Sequence, residues 1–128
     1  ARVIGTDRSV DAIQITEQNF QSALSRDVSA RFVCSDFRDH ARIEGLEAGS
    51  VSLVISNPPM GRRVPISNLS GLIKDLFSAA SAVLKRGGRL VFANPLPLLP
   101  QGLPLRRDFQ QKVDLGGFSV HVERYIRL

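Results

Sequence analysis

Residues 52–64 read Ser-Leu-Val-Ile-Ser-Asn-Pro-Pro-Met-Gly-Arg-Arg-Val. An apolar, β-branched run stops at Ser56, and an amide side chain and two prolines follow it. The run Val51–Ser56 is apolar at both parities, which predicts a strand covered on both faces, as in the interior of a parallel sheet. One proline is enough to end a strand. Pro58 and Pro59 each fix φ and each lack an N–H, so the loop after the strand is stiff. Stiffness of this kind serves positioning, where a displacement of about 1 Å can cost roughly 100-fold in rate.

Working outward, the flanking sequence alternates strands with helices. Arg2–Asp7 is short, apolar and β-branched, and predicts a buried strand. Val10, Ile13, Phe20 and Leu24 then recur at helical spacing, with Ser9 placed to cap the helix. The stretch Ala30–Asp36 predicts a second strand that again ends in an acid, and 37–50 predicts a short helix or loop. Beyond the double proline, Leu69, Leu72, Ile73, Leu76, Phe77, Ala80, Val83 and Leu84 follow the i, i+3, i+4, i+7 pattern of an amphipathic helix. Lys85-Arg86-Gly87-Gly88 reads as its C-terminal cap. Arg89–Asn94 predicts a fourth strand, residues 95–107 a proline-rich connection, and residues 108–128 an antiparallel hairpin around Gly116-Gly117. The order β-α-β-(α)-β-α-β-β-β predicts an α/β domain, with a parallel helix-flanked sheet and an antiparallel hairpin at one edge.

Composition narrows the partners. The 128 residues carry 17 Lys and Arg against 12 Asp and Glu, a formal net charge of +5. That excess favours a polyanion, with RNA or DNA first. The lone Cys34 excludes an internal disulfide framework and suits a reducing cytoplasm. With it, only His40 and His121, far apart in sequence, are available as soft ligands, so no metal is expected. No apolar stretch approaches the roughly 20 residues of a membrane helix.

Ligands of open α/β sheets bind beyond the carboxyl ends of the strands. Three of the predicted parallel strands carry a polar residue there: Asp7, Asp36 and Asn57. Asp and Asn also favour strand ends and helix caps for local reasons, but three in succession read as one site. Asp7 can accept hydrogen bonds from a ribose diol. Asp36 is placed to accept one from an exocyclic base amine. Phe37 can pack on a purine face or in the core. The side-chain oxygen of Asn57 and the carbonyl of Pro58 are two acceptors for the two hydrogens of an amine. Holding both hydrogens pyramidalises a nucleobase amine, whose lone pair is otherwise delocalised into the ring and poorly nucleophilic. Met60 would then lie against the base, Gly61 permits close backbone approach, and Arg62 and Arg63 can hold phosphates. Arg106 and Arg107 follow the last parallel strand and extend a basic rim.

Asn57-Pro58-Pro59-Met60 resembles the (Asn/Asp/Ser)-Pro-Pro-aromatic motif of class I S-adenosylmethionine-dependent methyltransferases that act on exocyclic amines. Val3-Ile4-Gly5-Thr6-Asp7 resembles their ribose-binding motif, and Cys34-Ser35-Asp36-Phe37 their adenine-reading motif. The continuation Gly61-Arg62-Arg63 is most similar to the THUMP-associated RNA guanine-N2 methyltransferases. Two departures stand out: residue 60 is Met rather than aromatic, and the Gly-rich first motif is missing.

The resemblance implies a Rossmann-like methyltransferase sheet lacking its first strand. Residues 1–128 would be the C-terminal part of a catalytic domain, completed by an upstream segment of the same polypeptide and inactive in isolation. It implies S-adenosyl-L-methionine as cofactor, held by Asp7, Arg8, Asp36, Phe37 and Asn57. Asn57, Pro58, Pro59 and Met60 would form the catalytic loop. Arg62, Arg63, Arg106 and Arg107 would contact a tRNA or rRNA whose guanine amine is methylated in the cytoplasm. The alternatives are a DNA adenine or protein glutamine methyltransferase, or a non-catalytic RNA-binding fragment of the same fold.

Overall fold

The computed structural model describes residues 1–23, 27–59 and 67–128. Leu24, Met60, Gly61, Arg62 and Arg63 lie outside the described residues. The chain divides into two compact units, Ala1–Gly45 and Leu46–Leu128.

The first unit is a β-α-β step. Strands β1 (Arg2–Asp7) and β2 (Ser29–Cys34) pair in parallel, from Arg2 beside Ser29 to Asp7 beside Cys34. Helix α1 (Val10–Ala23) connects them, and a 3-10 turn (Phe37–Arg42) follows β2. Ser9 caps α1 as its sequence predicts: its Oγ accepts the Ala12 N–H at 3.2 Å. The apolar stripe of α1 is narrower than its spacing suggested. Ile13 is buried, while Val10 is 58% exposed. Phe20 meets Phe32 of β2 edge-on at 5.6 Å. Gly5 makes that contact possible, because a Cβ there would stand 2.7 Å from the Phe32 ring. Cys34 is exposed. As the last residue of β2 it reaches the open end of the ladder, and its thiol lies 3.5 Å from the Arg8 carbonyl.

The second unit holds β3 (Val51–Ser56), α2 (Leu69–Val83), β4 (Leu84–Asn94), β5 (Leu105–Asp114) and β6 (Ser119–Arg127). Its sheet order is β3-β4-β6-β5. The β3–β4 pair is parallel, and the β4–β6 and β5–β6 pairs are antiparallel. The mixed sheet with its edge hairpin is the predicted architecture. Asn68 caps α2 by accepting the Gly71 N–H at 2.9 Å. Ile73, Leu76, Phe77, Ala80 and Val83 form the buried stripe of α2. Phe77 packs edge-on against Phe92 at 5.3 Å and against Tyr125 at 5.1 Å.

In the first unit β2 ends at Cys34 rather than Asp36, and in the second unit two boundaries differ from the sequence reading. Residues 85–88 do not cap α2. The helix ends at Val83, and Leu84 turns to extended geometry and pairs with Val51. Pairing then slips, so that Leu53 stands beside Arg89, and Lys85–Gly88 form the irregularity. A strand partner for Leu84 outweighed a basic cap. Likewise β5 begins at Leu105, so Arg106 and Arg107 lie within a strand rather than a loop. The hairpin turn is as predicted: Asp114 Oδ1 accepts the N–H groups of Gly116 and Gly117 at 2.9 and 3.3 Å, and both glycines have positive φ.

The packing around Tyr125 yields a test of the core. Burial pushes its phenol above the ordinary value of 10, and the Glu123 carboxylate reinforces the shift. A folded pKa above the unfolded one stabilises the native state fully below pH 10, and that stability drains as pH rises further. Tyr125 is the sole tyrosine and the chain has no tryptophan, so phenolate absorbance reports on this residue alone. Phenolate should appear only together with loss of far-UV circular dichroism. Ionisation near pH 10 with secondary structure intact would contradict the buried placement.

Candidate functional site

Four of the five cofactor-side residues expected from sequence, Asp7, Arg8, Asp36 and Phe37, stand at the carboxyl ends of β1 and β2, while Asn57 follows β3 in the second unit. Asp7 closes β1, and its Oδ1 accepts the Ser9 N–H at 2.8 Å. This places an exposed acid at the mouth of α1 and leaves its second oxygen free of hydrogen bonds from described residues. Asp36, two residues beyond β2, accepts the Arg38 N–H at 2.9 Å through Oδ1. Its Oδ2 takes the Arg38 guanidinium at 3.1 Å and lies 3.8 Å from that of Arg8. The Arg38 backbone donor, reinforced by the guanidinium, holds the Asp36 carboxyl below its ordinary value of 3.8. Phe37 is half-buried, with the Arg38 guanidinium 5.2 Å from its ring centre. Arg38 is the participant that sequence reading missed. The acid-aromatic-Arg succession was visible, but nothing in the spacing said that Arg38 folds back on both neighbours.

On the acceptor side, Asn57 and Pro59 are exposed, while Pro58 between them is buried. The buried ring anchors the chain directly after Asn57. No described residue holds the Asn57 side-chain amide. Ser56 stands beside Phe92, so continuing the register sets Asn57 beside Ala93, one residue before Asn94.

Asn94 opens a second Asn-Pro stop, which sequence reading passed over, and it is the opposite of Asn57 in environment. It is 1% exposed, and its Nδ2 donates to Glu123 Oε1 at 2.7 Å and to the Leu98 carbonyl at 3.2 Å. Glu123, 2% exposed on β6, also accepts from the Tyr125 hydroxyl at 3.0 Å, Arg107 at 2.8 Å and Gln110 at 3.1 Å. Arg107, expected on the phosphate rim, therefore has an internal partner, and the Glu123 hydrogen bond raises its pKa. Arg106 remains exposed.

Residues 1–115 match the family described as "Methyltransferase small domain". The chain belongs to this family. It is broader than the THUMP-associated enzymes suggested by the Gly-Arg-Arg continuation. The chain is 28% identical over 90 residues to ribosomal RNA large subunit methyltransferase G of Streptomyces griseus subsp. griseus. That match covers 70% of this chain and 22% of the relative, so the chain corresponds to a minor part of the longer protein. Among solved structures it resembles TrmN from Thermus thermophilus, with TM-score 0.68, 21% identity, and coverage of 99% of this chain and 44% of that one. It also resembles magnesium protoporphyrin IX methyltransferase from Synechocystis PCC 6803 with S-adenosylmethionine bound. There the TM-score is 0.66 at 14% identity, covering 100% of this chain and 60% of that one. These likenesses establish the class I, Rossmann-like methyltransferase fold, whose cofactor is S-adenosyl-L-methionine.

The donor set in the first unit fits that cofactor. Asp7 offers an exposed acid suited to a ribose diol. Asp36 is already engaged with Arg38, yet each carboxylate oxygen has a second acceptor position, so it can still take an adenine amine. Among the described residues no cluster of His, Cys, Asp and Glu could hold a metal ion, and no helix is long and apolar enough to cross a membrane.

Proposed function

We propose that this chain is part of a cytoplasmic RNA methyltransferase that modifies an exocyclic base amine, guanine N2 of an rRNA or tRNA. The carrying observation is the pairing of an exposed Asn57 amide, held by no described residue, with a buried Pro58 at the carboxyl end of β3. The bound cofactor supplies an electrophilic methyl group. Asn57 Oδ1 and the Pro58 carbonyl accept the two amine hydrogens and turn the nitrogen lone pair out of the ring plane. The N–C bond forms as the methyl group parts from the cofactor's sulfonium sulfur, and the now cationic nitrogen then gives a proton to solvent, so no strong base is required. Asp7, Arg8, Asp36 and Phe37 hold the cofactor, and Met60 lies on the base with the soft sulfur contact its side chain allows. Arg62, Arg63 and Arg106 take phosphates, while Arg107 braces β5 through its bond to Glu123.

Ribosomal RNA is favoured by the named activity of the Streptomyces relative. Among the described residues, β1 pairs with β2 alone and β3 with β4 alone, so each strand keeps an open edge. Leu53 and Ile55 of β3 are 49% and 71% exposed, an apolar face suited to further polypeptide of the same catalytic domain. The deciding experiment incubates the full-length natural protein with methyl-labelled cofactor and unmodified rRNA and tRNA, then digests the RNA to nucleosides. N2-methylguanosine is the expected product. Unlabelled RNA, with label instead entering DNA adenine or a glutamine side chain in parallel incubations with DNA and with a glutamine peptide, would overturn the proposal.

A further inference from the structure

We propose that Asn94 and Glu123 are positioning residues that hold the proline-rich loop 95–104 as a preformed wall beside the acceptor site. This rests on the placement of the amine acceptor at Asn57, and it assigns acceptor binding to a loop that carries no motif.

Burying a carboxylate is costly unless it is paired and hydrogen-bonded. Glu123 is buried with donors on both oxygens: Asn94 and Tyr125 on Oε1, Arg107 and Gln110 on Oε2. A local irregularity in β5 makes this possible. Arg107 pairs with Tyr125 and Gln110 with Glu123, three residues apart on β5 but two on β6, because pairing slips between Arg107 and Phe109. In a regular strand, residues three apart face opposite sides. The bulge turns both Arg107 and Gln110 onto Glu123.

The beneficiary of this network is the loop. Asn94 spends both Nδ2 hydrogens, one on Glu123 and one on the Leu98 carbonyl, and its Oδ1 accepts the Leu96 N–H at 3.0 Å. Glu123 thus fixes the orientation of an amide that ties down the first turn of the loop. The far end is tied by the Leu128 N–H on the Pro104 carbonyl at 2.9 Å. Pro95, Pro97, Pro100 and Pro104 stiffen the span between. Leu99, 54% exposed, is presented from it. The network sits at the carboxyl end of β4, where ligands of such sheets bind. Here it lies one strand from Asn57, and its output is the shape of a loop on that rim.

The test uses Asn94→Ala in the full-length protein, with Glu123→Gln as a second variant should the first fail to fold. Two readouts are needed. By hydrogen exchange, loop amides 96–103 should lose protection while β4 amides 89–93 keep theirs. With unmodified rRNA as acceptor, KM should rise about 10-fold, the scale of one lost contact, with kcat and S-adenosylhomocysteine affinity within about 2-fold. Loosened amides with an unchanged KM would overturn the proposal, as would unchanged loop protection. A fall in kcat and cofactor affinity together would reveal a merely structural role and also overturn it. Should the wild-type protein methylate DNA or a peptide and not RNA, the function proposed above fails. The same KM split on the true acceptor would then still decide for or against the loop.

Discussion

Asn57→Ala in the full-length protein is expected to lower turnover on RNA about 100- to 1000-fold, the usual cost of removing one group that stabilises a transition state. Cofactor affinity should stay nearly unchanged. The reasoning begins with the exposed amide at the end of β3, which no described residue holds. An exposed side chain that no described residue holds contributes little to folding, so on the proposed mechanism truncating it removes chemistry and spares structure. The effect should fall on kcat and kcat/KM alike, because the hydrogen bonds to the amine strengthen as the nitrogen pyramidalises. Single-turnover methylation of rRNA measures this directly. Near-normal turnover in the variant would show that Asn57 does not accept the amine proton. The same change at Asn94 should behave differently. That amide is buried and saturated with partners, so its loss acts through the loop it holds. The two Asn-Pro stops, 57–58 and 94–95, look alike in sequence, and opposite signatures in kcat and KM would separate them experimentally.

That contrast also marks how far the sequence could be read. The β-α-β order was legible because β1, β2 and β3 are short apolar runs and α2 carries an unbroken 3.6-residue stripe. The Gly116-Gly117 turn was legible because both positions need positive φ. Three polar strand ends pointed to a site because their spacing repeats with the strands. Long-range pairing was not legible. Nothing local tells Leu84 that Val51 awaits it, so a cap was predicted where an irregular strand forms. Nothing local tells Arg107 that Glu123 lies across the hairpin, because that meeting depends on a one-residue slip in β5. Arg107 therefore looked like a phosphate ligand by charge and position alone. Asp36 was read for its ligand, and its bonds to the N–H and guanidinium of Arg38 became visible only when the turn after β2 was in place.

Phe77→Ala should be the most destabilising single change in the second unit, at about 3–5 kcal/mol. Its ring is 1% exposed and meets Phe92 and Tyr125 edge-on. Truncation removes the buried area, both aromatic contacts and the support for two further rings. Backbone relaxation has little room to close the void, because Phe92 and Tyr125 are pinned by strand pairing: Leu90 stands beside Tyr125 and Phe92 beside Glu123. A loss of that size is a large share of the roughly 5–15 kcal/mol that stabilises an ordinary domain. Urea unfolding should show a lower midpoint at a similar slope, and a loss below about 1 kcal/mol would mean that the core repacks around the gap. The damage should also reach the rim. Tyr125 donates to the Glu123 carboxylate that orients Asn94, and Phe92 stands beside Ser56, the residue before Asn57. Hydrogen exchange in loop 95–104 should therefore accelerate in Phe77→Ala below its unfolding midpoint, because the aromatic trio under the sheet is the floor on which Glu123, Asn94 and the acceptor loop are set.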